Sequence, residues 1–111
     1  MRSEPTIGLN MKICRWDKPF KANLSHMEDS LKKEGLSSYL WEDSPGTYYP
    51  THSHPYAEVR WVVEGSITLG VSGEEVTLYP GDRLDLPADT NHYARMADDG
   101  PTIYLCASKQ K

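Results

Sequence analysis

Cysteine is scarce in this 111-residue chain, with only Cys14 and Cys106, near opposite ends. That count excludes a small scaffold held together by several disulfides. One bridge is geometrically conceivable if the terminal strands are neighbours, but in a reducing compartment two buried thiols are expected. Long apolar runs are also missing. No stretch approaches the roughly 20 residues that span a bilayer, and the first ten residues lack the apolar segment of a signal peptide, so a cytoplasmic protein with no membrane partner is expected. Basic residues are outnumbered, 12 against 16 acidic ones, for a net charge of -4. They form no cluster, so no surface is suited to tracking phosphates and nucleic acid is not an expected partner.

Against these absences stand short runs rich in aromatic and β-branched residues, separated by Gly, Pro, Asp and Asn, which favours a mostly β protein. The length suits a single domain. Residues 1–10 show no periodicity and read as a flexible extension, leaving 11–111 as the domain. "KICRW", 12–16, reads as a first strand. In "NLSHMEDSLKKEG" Leu24, Met27 and Leu31 recur at helical spacing, Ser25 and Glu28 suggest a capping box, and Gly35 suits the stop. His26 on this helix is expected to face solvent. From residue 37 onward the pattern is of eight or so strands, "SSYLW" through "TIYLCAS", joined by turn residues, which indicates a sandwich or small barrel.

The chain has only four histidines, and two of them, His52 and His54, flank a single serine. Alternation puts both on one side of a strand. Glu58 joins them only if the chain turns between, since four further extended residues would carry it some 13 Å away. Pro55 permits that turn. The loop "PADTN" delivers His92 at the start of another strand. Three imidazoles and a carboxylate then make a first shell for one divalent transition metal, with iron, manganese, nickel, cobalt and zinc all compatible. A metal that prefers five or six ligands keeps one or two positions for a small-molecule ligand or substrate.

"GTYYPTHSHPYAEVRWVVEG" resembles the first motif of the cupin superfamily, with Gly46, His52, His54, Glu58 and Gly65 at the family's intervals. "GDRLDLPADTNHYARM" is similar to the second, carrying Gly81, Pro87 and His92, and it departs at Asp89, where Gly is usual, and at Met96, often Asn. The resemblance covers about 38–106. It implies an all-β jelly-roll barrel, preceded here by the short helix, with the metal of His52, His54, Glu58 and His92 inside. Dioxygenases, isomerases, decarboxylases and sugar sensors all occur among cupins, so it implies no single reaction.

Strand parity extends the lining. If Glu58 faces inward so do Arg60 and Val62, and His52 and His92 bring Tyr48 and Met96 with them. Arg60 is expected either to anchor a ligand carboxylate or to form an ion pair with an acid such as Asp85, and Tyr48 to bind a ligand or fill the mouth. Glu58 is the group available to move a proton. Trp61 and Val63, with Ile13 and Trp16, are expected on the outside as an apolar patch, and family members dimerise through their first strand, so a homodimer is expected unless the helix covers that patch. Functionally the expectation is a metal-dependent oxygenase or lyase for a small organic, anionic substrate. The alternative is a non-catalytic module that uses the same metal to bind or sense a ligand.

Overall fold

The computed structural model describes residues 2–3 and 11–109. Along the chain run β1 (Arg2–Ser3), β2 (Lys12–Arg15), α1 (Leu24–Lys33), β3 (Ser38–Asp43), β4 (Tyr48–His52), β5 (Ala57–Glu64), β6 (Ile67–Val71), β7 (Glu74–Leu78), β8 (Arg83–Leu86), β9 (His92–Met96) and β10 (Thr102–Lys109). Two antiparallel sheets result, in the orders β1-β2-β8-β5-β10-β3 and β4-β9-β6-β7. Their inner faces meet as a jelly-roll barrel. Of the expected extension, Arg2 and Ser3 pair with Arg15 and Cys14; the rest lies outside the described residues.

The turns carry the closure. Gly65, between β5 and β6, has φ of 82°, and a Cβ there would lie 2.7 Å from both the Pro101 carbonyl and Thr102 Oγ1. No side chain fits, so this position accepts only glycine. Asp89, where the resemblance expects Gly, adopts φ of 59°, a conformation that Asp tolerates better than most residues. The departure therefore preserves the turn.

The apolar residues divide by strand parity into two cores. Ile13, Val62, Leu69, Leu84 and Met96 belong to the cluster inside the barrel. On the outer face of the larger sheet, Val59, Trp61, Leu105 and Ala107 pack with Met27 and Leu31 of α1, and Trp61 is only 1% exposed. The helix is amphipathic in the way its spacing predicts, and it covers the patch on which the dimer expectation rested. Ile13 also points into the barrel, not outward. Arg83 fastens the cover, with its guanidinium over the Trp61 ring at 5.3 Å and two bonds, 2.5 and 2.9 Å, to Glu34 at the helix end.

Two local expectations are corrected. The helix cap is Asn23, whose side chain accepts from the His26 N–H at 2.9 Å, in place of a Ser25–Glu28 box. Helical geometry begins one residue after Asn23, so Ser25 already lies inside the first turn. His26 is half-buried, edge-on to the Trp16 and Phe20 rings at 5.6 Å each. Gly35 does end the helix: its N–H bonds to the Lys32 carbonyl and that of Leu36 to Leu31, the double bond of a left-handed cap. No disulfide joins the two cysteines; Cys14 is half-buried and Cys106 buried. Among the described residues no helix is long and apolar enough to cross a membrane.

Candidate metal centre

His52 ends β4 and His92 begins β9, and the two are direct partners across the pair. Their ring centroids are 4.5 Å apart. His54 follows in the turn after β4, its ring 4.8 Å from that of His52 and 5.8 Å from that of His92. The ligating nitrogens of the three all lie within 4.8 Å of one another. This is the convergence that the "HSH" spacing and the downstream His92 predict.

Orientation comes from the backbone. His52 Nδ1 lies 2.7 Å from the Pro50 carbonyl and His92 Nδ1 2.8 Å from that of Thr90. A carbonyl oxygen only accepts, so each Nδ1 carries the proton and each Nε2 presents a lone pair to the centre. Burial pushes the His92 pKa down, which keeps this imidazole neutral. The Asp89 N–H donates to the His54 carbonyl at 2.7 Å, tying the two histidine-bearing loops together. Three imidazoles converging on one point suit a divalent transition metal, which coordinates through the unprotonated ring nitrogen.

Glu58 is brought to this cluster by the turn at Pro55, but it stands at the side. Its Oε1 is 3.4 Å from His54 Nε2, while Oε2 accepts from Arg60 Nη2 at 2.5 Å. A carboxylate only 4% exposed requires a counter-charge, and Arg60, two residues along the same face, supplies it. The ion-pair partner of Arg60 is thus Glu58. Asp85 is instead engaged by Arg83 and Lys109 on the opposite face of the sheet.

The cavity beside the centre has a volume of about 300 Å³, and Arg60 and Met96 line it as parity predicts. Tyr48 does not. It is 54% exposed and sits beside Tyr93 on the outer face, while Tyr49 takes the inward place. The cause is a bulge: Tyr49 pairs with Ala94 and His52 with His92, so three steps on β4 match two on β9. Pro50, which has no N–H for the ladder, lies in that irregular step.

Sequence reasoning also missed a group of aromatic residues. Tyr39, Trp41, Tyr49 and Tyr104 all line the cavity, as does Cys106. Behind the rings Asp43, 7% exposed, accepts from Tyr49 Oη at 2.7 Å and Trp41 Nε1 at 3.0 Å on one oxygen, and from Tyr104 Oη at 2.7 Å on the other. Burial, and then the bond to Asp43, raises the pKa of both tyrosines, which stay protonated donors. The alternation Tyr39, Trp41, Asp43 along β3 was a usable signal for this wall.

The family model described as a cupin domain matches residues 39–108. Quercetin 2,3-dioxygenase of Bacillus subtilis (strain 168) is 38% identical over 56 residues, 50% of this chain and 17% of that protein. The structure of the DMSP lyase DddQ from Ruegeria pomeroyi DSS-3 is similar with a TM-score of 0.60 and 28% identity, over 68% of this chain and 39% of that one. A cupin protein from Bacteroides fragilis matches with a TM-score of 0.59 and 27% identity, over 76% of this chain and 73% of that one. The chain therefore spans well under half the length of the dioxygenase and the lyase. The matched segment contains both histidine-bearing loops and, save the first residue of β3 and the last of β10, the eight strands β3 to β10, and on that match this chain belongs to the cupin family.

Proposed function

We propose that His52, His54, His92 and Glu58 hold one divalent transition metal and that the adjoining cavity takes a small organic anion, on which the protein acts as an oxygenase or lyase. The observation that carries this reading is the mutual approach of the three imidazole nitrogens to within 4.8 Å. Relatives whose names state a dioxygenase and a lyase support an enzyme. When bound, such a metal supplies a Lewis acid that polarises a coordinated oxygen.

The chain's own residues provide the rest. Arg60 lines the cavity and is the cation able to take a substrate carboxylate in a two-point contact. Glu58, the sole carboxylate among the lining residues, is the group able to accept and return a proton. Ile67, Leu69, Leu84 and Leu86 give the cavity apolar walls that exclude water around a bound ligand.

One feature favours the alternative of a binding or sensing module: Glu58 is already committed to Arg60, which leaves no other acid or base of its kind on the wall. Elemental analysis after reconstitution separates the site from a chance cluster. Near-unit metal stoichiometry is expected, with loss in His52→Ala and in His92→Ala; full occupancy in both variants would sink the centre. Oxygen uptake and product analysis on the loaded protein with small organic acids then distinguish catalysis from binding alone.

A further inference from the structure

The inward residues of the larger sheet form successive rows across its strands. Arg60 pairs with Cys106, and Cys106 with Tyr39. Two residues along β10, Tyr104 pairs with Trp41. The Tyr104–Trp41 row is thus one inward step, about 7 Å, beyond Arg60. Tyr49 faces it from the smaller sheet, since it reaches across to the same Asp43 carboxylate.

The electrostatics of this end differ from those of the metal end. Trp41, Tyr49 and Tyr104 all donate their one polar hydrogen to Asp43. None of those hydrogens remains for a ligand anion, so these three side chains offer π faces and phenolic lone pairs alone. Glu58 compensates the charge of Arg60, whereas Asp43 is met by three neutral donors and, among the described residues, by no cation. The carboxyl group behind the rings thus has three hydrogen-bond donors and, among the described residues, no offsetting positive charge. Aromatic faces already attract cations through their quadrupole, and a carboxylate behind them adds to the attraction. Trp41, 47% exposed, reaches solvent and leaves this end accessible.

We propose that the Asp43-backed aromatic end of the cavity binds an organic cation of the alkylammonium type, so that the preferred ligand is a zwitterion with its cationic head about 7 Å from a carboxylate held near Arg60 and the metal. The inference rests on the anion reading of Arg60 given above and adds the second charge. A linear acid of about ten heavy atoms is in keeping with the cavity of about 300 Å³.

The test is calorimetry on the zinc-reconstituted full chain with two isosteric acids, 4-(trimethylammonio)butanoate and 5,5-dimethylhexanoate. They share shape and carboxylate and differ in one positive charge. Wild type is expected to prefer the ammonium acid by about tenfold. That ratio should fall close to one in Trp41→Leu, a half-exposed position where folding is not at stake, and in Asp43→Asn. Equal affinity of wild type for the two acids would overturn the cation site and leave the anion reading standing. Binding of neither acid would overturn both, and a preference unchanged in both variants would place the selectivity elsewhere and refute the assignment.

Discussion

Glu58 divides its oxygens between His54 and Arg60, and that division sets what each residue can do. The pair is close and largely buried on the Glu58 side, while the Arg60 side chain keeps 24% of its surface. Removing the guanidinium leaves a buried carboxylate without its counter-charge. Arg60→Met is expected to lower the stability of the metal-free protein by about 1–3 kcal/mol after allowance for solvent at Arg60. Adding Glu58→Gln should restore most of the loss in urea titrations; a double variant no better than the single would show that the two do not act as a pair. His92 gives a pH signature. Burial lowers its folded pKa below the unfolded value near 6.5, so the unfolded chain takes up the proton first. Its contribution is present above about pH 6.5 and is lost as the pH falls through the folded value. Urea midpoints of chelator-treated protein should therefore drop between pH 7 and 5, and His92→Gln should flatten that slope. Glu34, which the Arg83 guanidinium holds below the usual carboxylate range, titrates under this window.

Among the elements, α1 shows how a local signal and a packing signal differ in reliability. Its apolar spacing at Leu24, Met27 and Leu31 specifies the buried face, and Met27 and Leu31 are wholly buried. Its start is set by a single side-chain bond from Asn23. Asn23→Ala is expected to cost about 1 kcal/mol, whereas Ser25→Ala, inside the first turn, should be close to neutral in thermal melts. Comparable losses would return the cap to Ser25. Leu31→Ala opens a cavity between the helix and Trp61 and is expected to cost about 2–5 kcal/mol. A cost under about 0.5 kcal/mol would mean that α1 is not seated on the sheet. On the strands, parity placed Arg60 and Met96 correctly because β5 and β9 run regularly past the centre. It failed at Tyr48 because the step between Tyr49 and His52 is irregular, and a one-residue slip sends a side chain to the other face.

At the scale of the molecule the two sheets bring β3, β4 and β10 around one cavity, with the three histidines and the aromatic residues in front of Asp43 as its lining. The outer face of the larger sheet is sealed by the chain's own helix, held by Arg83 between Trp61 and Glu34. Much of this was legible beforehand. The all-β class, the helix face, the turn at Gly65 and the convergence of His52, His54 and His92 follow from alternation, helical spacing and the demand of turns for particular backbone conformations, all of which act over a few residues and so leave a mark in the chain. What stayed hidden depends on residues far apart in sequence. Tyr104 meets Asp43 across 61 positions, and Arg83 meets Glu34 across 49. Whether Trp61 forms an interface or a core was decided when α1 settled on it, and whether Arg60 takes Asp85 or Glu58 was decided by which face of the sheet each acid occupies. Short-range spacing determined which histidines converge; the packing of one sheet against the other, and of the helix against β5 and β10, determined the company each side chain keeps, because ion pairs and buried hydrogen bonds form between whatever groups the tertiary fold encloses together.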